Sequence, residues 1–174
     1  NMTNVDELFQ QLVDLGQHPK QKADTVTILE KIGHFLDEAN DEIYYKHKDK
    51  FTKKEITNVI EGELDVQDIL TQSAKYWDGG YVMCGLMGHG DAFALRDPNA
   101  IRPAYYYKDD EIVVVASERS VIQTSFDVKI DDVNEIKRGH ALIIKKDGKI
   151  EEKQVREPLE RKSCSFERIY FSRG

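Results

Sequence analysis

The chain has 174 residues, 40% of them hydrophobic and 33% charged, the balance of a soluble globular protein with enough core for one compact domain. No apolar run is long enough to cross a bilayer and the first residues form no secretion signal, so the cytoplasm is the expected compartment and a membrane is not an expected partner. A net charge of -7 removes the basic face that nucleic acid binding requires, and two cysteines with five scattered histidines give neither a disulfide framework nor the ligand spacing of a metal site.

Residues 1–78 carry helical spacing. Asn4 followed by Glu7 predicts an N-cap with a capping-box partner, Val5, Leu8, Phe9, Leu12 and Val13 share a face, and Gly16 supplies the stop. Asp24 can cap a second, longer helix with Leu29, Ile32, Leu36, Ala39 and Ile43 inward. Thr52 with Glu55 repeats the capping box for a third helix ending near Gly62, and Asp65 opens a fourth with Val66, Ile69 and Leu70 inward and Trp77 at its end. The run Lys46 to Lys54 reads as a solvated helix end and loop.

At Gly79-Gly80 the texture changes, and residues 79–174 read mainly as strands. Tyr81 to Met87, Phe93 to Leu95, Ala104 to Tyr107, Ile112 to Ala116 and Ala141 to Lys145 are strand candidates. Turns at Asp109-Asp110 and Asp147-Gly148 make hairpins of them, so the sheet is largely antiparallel, with Val113, Val115, Leu142 and Ile144 facing a common core. Ser120 to Phe126 reads as a short helix, and Phe166 to Phe171 as a closing strand. The expected class is α+β.

Four segments resemble the motifs of one family, in its order. Gly88 to Pro103, which contains Arg96-Asp97-Pro98-Asn99-Ala100-Ile101-Arg102-Pro103, resembles a strand ending in "RDPxGIRP". Val115 to Arg119 is similar to "VASES", Gly139-His140-Ala141 to a "PGEA" turn, and Cys164 to Arg173 to "CxFEYVYFAR". Asn1 to Asn4 is similar to the tail of an "NGNLTN" element, and the likeness is weakest from about Asp37 to Gln72. The family is that of the amidophosphoribosyltransferases, and the segment resembled is the C-terminal part of their class II glutamine amidotransferase domain.

The resemblance implies the N-terminal-nucleophile hydrolase fold, with two antiparallel sheets between helical layers (αββα), here incomplete at the N-terminus. It also implies a chemistry. A cysteine at the mature N-terminus attacks the amide of glutamine, and the released ammonia is used on phosphoribosyl pyrophosphate by a phosphoribosyltransferase domain expected after residue 174. Such a thiol needs a neighbouring base and donors for the tetrahedral oxyanion. The chain opens on Asn1, so the nucleophile and the Asn-Gly oxyanion pair are expected outside it, and this chain alone is expected to be inactive. No catalytic residue and no metal ligand is assigned within it.

Asp24 is the candidate substrate-binding residue. It matches the aspartate of the family's "SDSE" element, whose carboxylate holds the α-ammonium of glutamine, although here the element reads Ala23-Asp24-Thr25-Val26. An N-cap role for Asp24 is compatible with this one. Gly79 and Gly80 match a turn near bound glutamine and read most simply as a turn. Cys84 reads as a buried small hydrophobe, and Cys164, which matches an iron-sulfur ligand of some family members, as structural. Asp97 is expected to pair with Arg96 or Arg102 and cap a turn; Ala100 replaces the family's usual glycine; His89 reads as a hairpin crest without an acid partner. The chain needs no cofactor of its own on this reading, while the intact enzyme is expected to use Mg and, in some members, an iron-sulfur cluster, and to be a homo-oligomer. A degenerate domain that only binds or scaffolds, and the glutaminase domain of another class II amidotransferase, stay open as alternatives.

Overall fold

The computed structural model describes residues 1–171, and its contacts divide the chain into two compact units, Asn1–Asp78 and Gly79 onward. The protein is α+β with antiparallel sheets. No helix among the described residues is long and apolar enough to cross a membrane.

The first unit contains α1 (Val5–Asp14), α2 (Asp24–His47), α3 (Lys53–Glu63) and α4 (Val66–Ala74). Helix α1 buries Leu8 and Leu12. It ends in a Schellman arrangement: Gly16, at φ +80°, donates its N–H to Val13 O (2.9 Å), and Gln17 donates to Leu12 O (2.8 Å). Asn4 does not cap α1 as expected. Its Nδ2 donates to Tyr76 O (2.8 Å) and its Oδ1 accepts from Asp78 N–H (3.3 Å), so a partner distant in sequence takes the side chain that local capping would have used.

Helix α2 packs against α1, α3 and α4, and a helix contacted on several sides has no single apolar stripe. The expected inward face fails at its first residue, since Leu29 is 70% exposed, and the fully buried positions are the polar Thr27 and Lys31. Lys31 Nζ donates to Gln11 Oε1 (2.9 Å) on α1 and lies 5.4 Å from the centroid of the Tyr76 ring. The capping box of α3 is complete: Thr52 Oγ1 accepts from Glu55 N–H (3.4 Å), and Thr52 N–H reaches back to Glu55 Oε2 (2.9 Å). Lys46 and His47, at the end of α2, both reach Glu63 of α3 at 2.8 Å. Asp65 caps α4 through the N–H groups of Gln67 and Asp68, and Val66, Ile69, Leu70 and Trp77 are buried.

The second unit contains β1 (Val82–Leu86), β2 (Ala92–Arg96), β3 (Tyr105–Lys108), β4 (Val113–Ala116), α5 (Arg119–Phe126), a 3-10 turn at Ile130–Asp132, β5 (Asn134–Glu135), β6 (His140–Ile144), β7 (Ile150–Gln154) and α6 (Ser165–Phe171). The described strands form two antiparallel sheets, ordered β1-β2-β6-β7 and β4-β3-β5. Ala94 and Leu142 of the first sheet and Ala104 and Ile136 beside the second form one buried cluster, with Val82, Tyr106, Val113, Val115 and Ile150 packed on it. Side chains alternate across a strand, so Ile144 shares the face of Leu142 and pairs in register with Ile150. The two sheets therefore meet face to face through the residues that alternation places inward. Opposite Phe93, Gly85 is required by space, because a Cβ there would stand 2.4 Å from the ring.

Besides the 3-10 turn and the two-residue β5, which the sequence did not mark, two elements differ from the sequence reading. Strand β7 has the composition Ile-Glu-Glu-Lys-Gln, poor in strand formers, and is held as the outer member of its sheet by the hairpin from β6. The segment read as a closing strand is helix α6, because Phe166, Ile169 and Tyr170 also fall at the i, i+3, i+4 spacing of a helical face. The last two residues of the fourth motif, Ser172 and Arg173, lie outside the described residues.

Candidate functional site

In the second unit, the four motifs converge. Arg96, at the end of β2, and Asp97, just after it, are buried, and Asp97 holds the loop that follows. Asp97 Oδ1 accepts from the N–H groups of Asn99 (3.0 Å) and Ile101 (3.0 Å), and Oδ2 from that of Arg102 (3.2 Å). Its main chain works outward: Asp97 N–H donates to Tyr81 O (2.9 Å), and Asp97 O accepts from Gly139 N–H (3.2 Å). A carboxylate accepting several main-chain N–H bonds fixes a turn more tightly than an ion pair, and the expected pairing of Asp97 with an arginine is corrected accordingly. The arginines turn elsewhere. Arg96 Nε donates to Arg102 O (2.9 Å) and its Nη1 to Glu135 Oε1 (2.8 Å) and Ile136 O (2.7 Å), while Arg102 pairs with Glu167 of α6. That pairing raises the Arg102 pKa further.

The stretch before α6 is laced to this loop by main-chain bonds. Leu159 N–H donates to Pro98 O (2.9 Å), Lys162 N–H to Asn99 O (2.8 Å) and Cys164 N–H to Ile101 O (3.1 Å). Gly139, at φ +67°, permits a further junction: its O accepts from the N–H groups of Val155 (2.9 Å) and Arg156 (2.8 Å). Between the loop, the start of α5 and the start of α6 lies a cavity of about 310 Å³, lined by residues of three of the motifs, among them Ile101, Ser117, Arg119 and Cys164. The guanidinium carbon of Arg119 lies 4.9 Å from the centroid of the Tyr105 ring. A second cavity of about 300 Å³ shares Arg96 and Arg161 as walls.

The remaining candidates are separate. Asp24 is the first residue of α2, with Ala23 in the N-cap position, so it does not serve as the N-cap. Its Oδ1 accepts the N–H of Thr25 (2.8 Å), and its other oxygen has no hydrogen-bond partner among the described residues. Cys84 is exposed on β1, not buried as expected, because β1 is an outer strand; enclosure of the sulfur nonetheless raises its pKa, which keeps it a thiol. His89 has an acid partner after all. Its Nε2 stands 3.1 Å from Asp91 Oδ2, which also receives Lys145 Nζ (2.7 Å), while Asp91 Oδ1 accepts Lys146 N–H (2.9 Å). Burial works to raise the Asp91 pKa, but these donors outweigh it and hold it below the ordinary carboxylate value. Gly80 is a close approach more than a turn, since a Cβ there would meet Ile101 Cγ2 at 2.7 Å.

Among the described residues, no three His, Cys, Asp or Glu side chains gather as a metal site. Cys164 is half-buried, and its N–H is donated to Ile101 O. Sequence reasoning found the loop, the start of α5 and the start of α6, but missed Arg119 and Arg161 as cavity residues. Only the tertiary fold brings Arg161 beside Glu135, at 2.9 Å.

No family model matches the chain. Across 99% of its length it is 27% identical to the amidophosphoribosyltransferase of Pasteurella multocida, covering 31% of that protein, and 26% identical to that of Haemophilus influenzae, again covering 31%. The amidophosphoribosyltransferase of Lachancea kluyveri is 27% identical over 76% of the chain. Among solved structures, the glutamine phosphoribosylpyrophosphate amidotransferase from B. subtilis complexed with ADP and GMP superposes with a TM-score of 0.66 at 25% identity, covering 99% of this chain and 31% of that one. The chain spans about a third of the length of the curated relatives it matches.

Proposed function

We propose that this chain is a segment of the glutamine-hydrolysing domain of an amidophosphoribosyltransferase, the part that follows the nucleophile and oxyanion elements. One observation carries the reading: almost the whole chain is similar, in sequence and in fold, to about a third of proteins that bear that name. The two antiparallel sheets packed face to face, with α5 against β3 and β4, support the N-terminal-nucleophile hydrolase layering that this function uses.

In the intact protein, a cysteine outside this chain attacks the glutamine amide, with main-chain and Asn donors outside this chain holding the oxyanion. Ammonia then passes to a phosphoribosyltransferase domain, which makes phosphoribosylamine for purine biosynthesis. The role of this chain is to bind and orient. Asp24 holds the α-ammonium of glutamine through the carboxylate oxygen that Thr25 leaves free, because desolvating that ammonium requires a fixed opposite charge. Large apolar side chains exposed on α6, Phe166 at 78% and Tyr170 at 79%, suit the seat of the following domain. The intact protein is on this reading a cytoplasmic homo-oligomer, and its Mg is held by residues outside those described.

The experiment is Asp24→Asn in the intact enzyme. Loss of a charge-assisted contact should raise the glutamine KM by roughly ten- to a hundredfold, while synthesis with added ammonia stays near normal. An unchanged KM would assign Asp24 to the helix start alone.

A further inference from the structure

We infer that the cavity between the 97–102 loop and the start of α5 is a binding site for a small organic phosphate monoester, read by the guanidinium fork of Arg119. The site shares no residue with the proposed glutamine clamp.

Several charges at the cavity are already neutralised. Of the arginines that line it, Arg96 and Arg161 share Glu135 Oε1, at 2.8 and 2.9 Å, and Arg161 Nε also donates to Ser163 Oγ (3.1 Å). Glu167, also at the cavity, is engaged by Arg102 through Oε1, while its Oε2 is buried without a hydrogen-bond partner among the described residues. Arg119 differs from all of these. Its Nε is buried without a hydrogen-bond partner, and no ion pair reaches its guanidinium among the described residues. Glu118, the extended N-cap residue of α5, also lines the cavity, but no ion pair joins it to Arg119 among the described residues.

A guanidinium held over an aromatic ring is restrained by that contact, and its fork can make two parallel bonds to one oxyanion. Tyr105 supplies that ring. Ser117 and Ser120, both exposed, flank the fork with hydroxyls able to donate to further oxygens. Phosphate suits this set better than a carboxylate, because it offers three oxygens to a fork and two separate hydroxyls. The far wall is apolar, formed by Ala100, Ile101 and Pro103, and a volume of about 310 Å³ reaches the range of small-molecule sites. A bare anion would leave that wall uncovered, so the ligand is a phosphate carried on a compact organic group.

The test is calorimetric titration of the chain with phenyl phosphate and, separately, with inorganic phosphate, at one fixed low ionic strength. Both should saturate and compete, with phenyl phosphate tighter because its ring covers the apolar wall. Arg119→Gln should weaken both by about tenfold or more, the scale of a hydrogen bond to a charged group. Ser120→Asp guards against a folding artefact. An acidic side chain in the first turn of α5 favours the helix, so its melting temperature should hold while it repels phosphate and abolishes binding. Phenyl phosphate that fails to saturate, or that binds both variants as it binds the parent chain, overturns the site. Equal affinity for the two ligands overturns the assignment of the apolar wall to an organic group.

Discussion

Ala100 sits at φ +51° while only 2% exposed, in the position where the resembled family has glycine. Left-handed geometry costs an alanine about 1–2 kcal/mol, but glycine would lose about 0.5–1 kcal/mol in chain entropy and about 0.8 kcal/mol for a buried methyl. These terms nearly cancel, so Ala100→Gly should change stability by less than about 1 kcal/mol in chemical denaturation. Ala100→Val adds a β-branch to the same backbone and should cost about 3 kcal/mol or more. Lys31 poses a different problem, a charge kept inside a helical unit. Burial lowers its pKa from 10.5 to about 8. Between those values the unfolded chain holds a proton that the folded chain has released, so stability should rise with pH from about 8 to 10.5. Lys31→Met should abolish that rise and, by removing a buried charge, add about 1 kcal/mol at neutral pH. Melting curves at pH 7 and 9.5 for both proteins would decide it; a parent stability that falls over this window would contradict the assignment.

Among the elements, those with a local signal were legible. The capping box at Thr52 and Glu55, the cap at Asp65 and the alternation of Val113 and Val115 all appear as read, because the interaction that signals each element is also the one that forms it. Where tertiary contacts decide, the sequence misleads. Asn4 is diverted to Tyr76 and Asp78, β7 is a strand by pairing despite its charges, and α6 is a helix although its residues favour strands. The candidate site divides the same way. Motifs mark its walls, but the free state of Arg119 depends on which carboxylates the other arginines have taken, and this cannot be read along the chain. Gly139 tests the junction that starts β6. A Cβ there would stand 2.4 Å from Arg156 O at φ +67°, so Gly139→Ala should cost about 2–4 kcal/mol, measured by urea denaturation. A cost below about 1 kcal/mol would show that residues 155–156 move away easily.

At the scale of the whole molecule, β1 is an outer strand, and Leu86 on it is 79% exposed. An apolar outer strand is a template for pairing, so the chain should associate as its concentration rises, and Leu86→Lys should shift it toward monomer in sedimentation velocity. A parent chain that stays monomeric at high concentration would show that this edge is protected. The purified chain should release no ammonia from glutamine, since its exposed thiol at Cys84 has a raised pKa and no partnering base among the described residues; release abolished by Cys84→Ala would reverse that view. The lacing of residues 159–164 onto the 97–102 loop bears on how this protein can change over evolutionary time. Its bonds run from main chain to main chain at Leu159, Lys162 and Cys164, so they are blind to side-chain identity and forbid only proline at those donors. Substitutions can therefore accumulate at those three positions while the strap continues to deliver α6 to the same place, and a saturation library at them should tolerate nearly every replacement except proline.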